Sequence, residues 1–436
     1  MDGQEASNNT SPAAPRMHHP DRSRIDPDPK SIDELVPPDH PVRLIWELVQ
    51  TLDMRPLHDR IKAVEGHAGR TPIDPMILVA LWVYATVEGI SSARRLARLC
   101  RRDDPFKWIC GGVRVNYHTL ADFRTAHAAW LQEQITGVVA VLLQEELIDL
   151  NQVGQDGMRV RASAGSGSFK RAAKLEEFLE QAEQQWDRLE AELKNGSPQR
   201  SARQQAAQQR AAGERLERLE RAKEEQAKVA ASREKRKKGD GETARASTTD
   251  PECRRMKMPD GGTRPAYNVQ FSTTLDSLVI VDLDVTNAGS DAGLMDPMVD
   301  RIETQHGITP DEYYTDGGFS TNDDIERVSQ RGVTVFTPVK IVDKKKERGE
   351  DPFAPQKGDT PHVAAWRQRM GTDEAQTKYK QRSKCEWSNA QCRNRGMWQF
   401  TVRGLAKVKA VVMWHVLVHN LLRMVALRAE GAADLC

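Results

Sequence analysis

The chain has 436 residues, with 64 Lys and Arg against 63 Asp and Glu for a formal net charge of +1. That length provides for two or three domains, and the balanced charge excludes a globally basic surface, so any face for a polyanion must be local. Six cysteines (Cys100, Cys110, Cys253, Cys385, Cys392, Cys436) without a CxxC pair exclude a disulfide-stapled secreted framework and point to a reducing, cytoplasmic compartment.

Residues 1–34 are rich in Pro, Ser, Asn and charge, have no signal-peptide core, and are expected to be a disordered tail. From 35 to 149 apolar residues recur at helical spacing, as in VRLIWELVQTL, ILVALWVYATVEG and WLQEQITGVVAVLLQEEL, predicting an all-helical domain. Within it Gly89 ends one helix and Ser91 is placed to cap the next, SSARRLARLCRR, which carries Arg94, Arg95, Arg98, Arg101 and Arg102. A helix, a short glycine turn and a basic helix suit DNA phosphates or a groove, although a solvated helical pair gives the same pattern. NYHTLADFR adds Arg124 nearby.

A strand-like stretch, LIDLNQVGQDGMRVRAS, opens a second domain over 150–436. An insertion over 169–240 interrupts it. There Leu175, Leu179, Ala182, Trp186, Leu189 and Leu193 form a heptad seam, Asn195-Gly196 and Pro198 break it, and a second charged helix ends in REKRKK. The expected element is an antiparallel coiled-coil hairpin, a spacer or dimer arm. PAYNVQFSTT and LVIVDLDVT then predict two strands turned at Leu275-Asp276-Ser277, with Ser290 capping a helix that has Asp291 in its first turn. EYYTDGGFS and VTVFTPV supply further strands, each followed by a helix. The order is strand, strand, strand, helix, strand, helix, strand, helix: a mixed α/β sheet flanked by helices. The apolar run AVVMWHVLVHNLLRMVAL is interrupted by His415, His419, Asn420 and Arg423 and reads as a buried helix, not a membrane span.

Three acids stand in chemically suggestive places. Asp156 and Asp316 each precede a glycine at a predicted strand end, where ligands of open sheets bind, and the first and fourth strands are expected to be neighbours. Between Thr377 and Lys409 nine Lys or Arg surround a single acid, Glu386. Clustered carboxylates call for a cation, and Mg²⁺ is a hard ion that takes carboxylate oxygens, with Mn²⁺ able to substitute. Two such ions held by Asp156, Asp316 and Glu386 could serve phosphodiester displacement, with the surrounding cations facing a polyanion. Tyr379, Arg382, Glu386 and Arg393 are spaced 3, 4 and 7 apart, as on one helix face. The plain alternative is an Arg382–Glu386 ion pair beside two surface turns. His415 and His419 lack further zinc ligands and read as core, as do Cys385 and Cys392. Trp387 and Trp398 could stack on a splayed base, with burial the expected outcome, and Tyr267 and Asn268 could touch DNA, with the sheet interior the simpler account.

The run Tyr379-x2-Arg382-x3-Glu386-x6-Arg393 resembles the Tyr-Arg-Glu-Lys signature of bacterial insertion-sequence transposases of the DDE type, with Arg393 replacing the usual lysine. QDGMRVRAS, STTDPECRRMKMPDGGTRPAYNVQ, VTNAGSD, TDGGFS, RGLAKVKA and HNLLR are similar to segments of the same family, in the same order. The resemblance implies an RNase H-like fold, a metal-binding triad of Asp156, Asp316 and Glu386, and DNA-backbone contact or Glu386 positioning by Tyr379, Arg382 and Arg393. It further implies cleavage at transposon terminal inverted repeats and joining of the 3′-OH ends to target DNA by a homo-oligomer on double-stranded DNA, in a bacterial, nucleoid-associated setting. A catalytically inactive DNA-binding scaffold or repressor, and a nuclease without strand transfer, are the competing readings.

Overall fold

The computed structural model describes residues 30–61, 71–194 and 201–434. Most of the N-terminal tail, the Asn195-Gly196 and Pro198 turn, and Cys436 lie outside these residues. The N-terminal helices are α1 (Pro41–Gln50), α2 (Arg55–His58), α3 (Pro75–Val87), α4 (Ala93–Leu99), α5 (Asp104–Cys110), α6 (Tyr117–Ala126) and α7 (Ala128–Gln144). Then come β1 (Gln152–Arg161), β2 (Phe169–Lys170), the long helices α8 (Ala172–Lys194) and α9 (Ala202–Arg236), and β3 (Ala246–Ser247), β4 (Arg254–Lys257), β5 (Thr263–Thr274) and β6 (Ile280–Thr286). The remainder alternates: α10 (Met295–His306), β7 (Glu312–Tyr314), α11 (Asn322–Gln330), β8 (Thr334–Phe336), α12 (Val342–Glu347), α13 (Pro361–Arg369), α14 (Asp373–Tyr379), α15 (Cys385–Asn394) and α16 (Leu405–Asp434).

One mixed sheet runs β4-β5-β1-β7-β8, with β6 also on β5. β1 pairs antiparallel with β5 from Val153↔Thr274 to Arg161↔Ala266, and parallel with β7 only from Gln152↔Glu312 to Gly154↔Tyr314. The expected adjacency of the strands that precede the two aspartates is therefore present. The placement of Asp156 at a strand end is corrected: it lies in mid-strand, because β5 supports β1 seven residues beyond the point where β7 stops. Two other local readings also change. Ser92, not Ser91, caps α4, accepting from the Arg95 amide. α10 starts at Met295, and Ser290 instead closes a turn onto the Ala292 amide. Asp291, freed from that helix, is buried.

α3 is buried on every side, and α16 passes between the N-terminal helices and the sheet. Trp414 donates to the Arg124 carbonyl (3.0 Å) and packs near Phe123 and Trp130, so one continuous apolar core joins helices and sheet. α16 is long and apolar enough to cross a membrane, but 72% of its apolar window is buried inside the protein. Its polar residues hold the β5–β6 turn: Asn420 bonds both the N–H and the carbonyl of Ile280, His419 contacts the Leu278 carbonyl, and Arg423 donates to Ser277. Asp250 and Glu252 accept from the amides of Gly404 and Leu405 at the other end of the helix. HNLLR is thus the part of α16 that clamps the β5–β6 turn, and STTDPE clamps the start of that helix. His415 and His419 are core residues as expected, and burial depresses them to about 3 and about 4. Cys385 and Cys392 are also buried.

α8 and α9 form an antiparallel pair, since Lys223 bonds Glu176 while Arg215 bonds Gln185. Leu175 and Ala182 of the predicted seam are buried, and Trp186 lies against Gly213, where an added Cβ would come within 3.1 Å of the indole.

Candidate active site

Asp156 projects from β1 toward α15. That helix comes close because position 154 is glycine: a Cβ there would lie 2.0 Å from Cys385 Sγ and 2.9 Å from Leu275. The short β7 ends at Tyr314 and turns through Asp316-Gly317-Gly318, where the Gly318 amide donates to Asp316 Oδ1 (2.7 Å) and Thr337 bonds the Asp316 carbonyl. α14 stops at Tyr379, a 3₁₀ turn carries Lys380–Lys384, and α15 begins at Cys385. The single helix face expected for Tyr379, Arg382, Glu386 and Arg393 is therefore broken into three pieces.

Arg382 joins the acids. Its Nη2 donates to Asp156 Oδ1 (3.1 Å) and lies 4.0 Å from Asp316 Oδ2, while Nη1 donates to Glu386 Oε1 (2.9 Å). Three carboxylates separated by up to 230 residues thus surround one guanidinium. Asp156 is the most buried of them, with its side chain 14% exposed, against 40% for Asp316 and 61% for Glu386. Burial raises the Asp156 carboxyl above its ordinary value, Arg382 opposes that, and the Asp316 charge adds to it. Burial works against the Arg382 charge, and the neighbouring acids outweigh it, so its proton is held more tightly than usual. Tyr379 is pushed up chiefly by burial and feels both aspartates.

Sequence reasoning missed Asn389, whose Nδ2 donates to Asp156 Oδ2 (2.7 Å). Its i,i+3 spacing from Glu386 was the available signal. It also missed the network on the other face of β1, where Asp291 accepts from Arg159, Asn268 and Gln270. Gly157 leaves room for that network, since a Cβ would fall 2.3 Å from Gln270 Nε2. Asn268 and Tyr267 are fully buried, as expected.

Other predicted residues are dispersed. Arg393 lies over the Trp398 ring (5.8 Å) and contacts none of the three acids among the described residues. Trp398 and Trp387 are 62% and 37% exposed, which corrects the expectation of burial: each sits at the surface beneath an arginine, Trp387 beneath Arg423. Lys378, Lys384 and Lys409 pair with Glu312, Asp276 and Asp284, so much of the dense cation run is neutralised by the protein itself. Arg94, Arg95 and Arg98 are exposed on α4, with Arg94 over Tyr117.

Among the described residues no three His, Cys, Asp or Glu side chains are grouped closely enough to hold a metal ion. In kind the donors suit a hard divalent cation: carboxylate oxygens, with the buried, unpartnered Oδ1 of Asn389 beside them. Arg382 stands at their centre.

A mixed sheet with a central long strand, helices on its faces and acids supplied by β1, the turn after β7 and a late helix is the RNase H-like arrangement of nucleic-acid-processing enzymes. The chain matches the family model for a transposase DDE domain over residues 239–421 and a transposase domain (DUF772) over residues 30–126. It belongs to the insertion-sequence transposases of the DDE type. Asp316 and Glu386 fall inside the matched DDE segment, and Asp156 precedes it. No curated protein and no solved structure matches the chain.

Proposed function

We propose that this transposase is catalytically competent: it cleaves DNA at the ends of its element and joins the resulting 3′-OH ends to target DNA, with Asp156, Asp316 and Glu386 as the essential acids. The observation that carries the reading is their convergence on Arg382 from three distant segments. Two Mg²⁺ ions held by these carboxylates, or Mn²⁺ in their place, would supply an activated oxygen nucleophile and stabilise the leaving oxygen. Asn389 holds Asp156 in its rotamer. Arg382 neutralises the acids when they are otherwise unpaired and, displaced from them, has the planar fork that suits a phosphate. Arg94, Arg95 and Arg98 on α4, with Tyr379 and Arg393, form the predicted backbone contacts, and a homo-oligomer pairs the two DNA ends.

The test is incubation of the purified protein with a duplex carrying the DNA that flanks its gene, in Mg²⁺. Cleavage followed by joining is expected. Binding without cleavage in either Mg²⁺ or Mn²⁺ would replace this reading with a scaffold or repressor, and cleavage without joining would reduce it to a nuclease.

A further inference from the structure

β4 and β6 lie end to end along one edge of β5: Arg254 stands opposite Ala266, and Thr286 opposite Asn268. Where β6 leaves the sheet, residues 287–289 cross the gap, and the last turns of α9 lie over it. The result is an open groove of about 390 Å³ with five cations in its walls: Lys228, Arg233 and Arg236 from α9, and Arg254 and Arg255 from β4.

The acids nearby do not cancel them. Glu225 takes both Lys228 and Arg254, and Asp240 takes Arg236 at 3.5 Å. Glu234 is turned onto the amides of Gly239 and Gly241, and Glu252 onto that of Leu405. Arg255 is exposed and has no ion pair among the described residues. Even against all four of these acids the five cations leave a local positive excess, and only Glu225 and Asp240 are directed at the cations themselves. Ser232 and Asn287 complete the lining, and Arg, Lys, Ser and Asn are the side chains that phosphate oxygens take as donors.

The groove is connected to the acids. Arg159 Nη2 donates to the Gly289 carbonyl at its rim (3.3 Å) and to Asp291 (2.8 Å). Asp291 and Asp316 in turn flank Gly318, where a Cβ would lie 3.4 Å from one carboxylate and 2.9 Å from the other.

We infer that the base of the α8–α9 insertion and β4 form a binding groove for the sugar–phosphate backbone of duplex DNA, adjoining the Asp316 side of the acid cluster and separate from the α4 arginines. The insertion is then a DNA-holding element. This rests on the transposase reading above.

The probe is a fluorescein-labelled 40-base-pair duplex of arbitrary sequence, followed by anisotropy over a salt series with the full chain. The groove predicts that Arg236→Ala with Arg255→Ala weakens binding about tenfold near 0.15 M salt and reduces the slope of log affinity against log salt by about two. Arg236→Lys with Arg255→Lys is expected to retain most of the affinity. Arg203→Ala with Arg210→Ala, an equal charge loss near the start of α9, is expected to change it less than twofold. Equal weakening by both alanine pairs would mean a diffuse field and overturn the groove. Unchanged DNA affinity in the Arg236/Arg255 pair, with Arg94→Glu, Arg95→Glu and Arg98→Glu abolishing binding, would remove the groove and leave the transposase reading standing. Unchanged affinity with loss of self-association would assign the groove to an acidic face of a second copy. A wild-type chain that binds no duplex at all would remove both.

Discussion

The α8–α9 hairpin and the acid cluster are both rich in charge, yet they are built in opposite ways. Along the hairpin, apart from the shielded Glu225–Arg254 pair at its base, ion pairs join residues within a turn of one another or across two adjacent helices, such as Lys174–Glu177 and Lys223–Glu176. They lie in water, where each pair contributes little. In the cluster, Arg382 is 226 residues from Asp156, the pair is largely shielded, and like charges are pressed together by the packing of β1, β7 and α15. Charge that is cheap to arrange tolerates change, whereas charge gathered against its own repulsion depends on everything around it.

Substitutions break that contrast in graded steps. The largest effect is expected in the cluster: Asp156→Asn, Asp316→Asn or Glu386→Gln should each lower DNA cleavage about a thousandfold or more while leaving duplex binding intact, measured on the same preparation. Cleavage within a few-fold of wild type in any of them would remove that residue from the essential set. Asn389→Ala, which releases Asp156 Oδ2 without touching the net charge, should reduce cleavage by roughly 10- to 100-fold.

Packing beneath the site comes next. Gly154→Ala drives a methyl group into Cys385 Sγ and should cost about 1–3 kcal/mol of stability by denaturant unfolding, with partial recovery on adding Cys385→Ala. If the two changes simply add, α15 is not held at that distance by this contact.

The buried histidines set a pH dependence of comparable size. Both are depressed below the value they would have in the unfolded chain, so the unfolded state binds more protons below about pH 6.5. Stability should therefore fall as pH drops from about 6.5 toward 4, by a few kcal/mol for each histidine. His415→Leu should flatten the unfolding midpoint over that range; an unchanged profile would mean that His415 is not held neutral by burial. The smallest effect belongs to the hairpin, where Lys223→Ala should change stability by less than about 1 kcal/mol.

Much of this was legible before any coordinates. The heptad spacing from Leu175, the apolar alternation of PAYNVQFSTT and the Asp-Gly-Gly after YYT each mark a local element, because one residue's conformation and burial depend on neighbours a few positions away. The acid trio was readable for the same reason, since each acid sits beside its own local signal. Asn389, Asp291 and Gly154 carry no such signal. Nothing in VGQDG says that one glycine faces a cysteine from a helix more than 200 residues later and the other a buried amide. The cations of 377–409 misled in the same way, since their carboxylate partners come from β6, the β5–β6 turn and β7.

Sequence alone therefore settled most of the helices and strands and named the three acids proposed for the chemistry, because periodicity and turn residues act over short range. Only the folded chain decided that Arg382 stands among the three acids, that α16 joins helices and sheet in one core, and that the insertion meets β4 in a basic groove. Those outcomes follow from close packing between segments distant in the chain, and in such contacts a fraction of an ångström or one missing Cβ determines who meets whom.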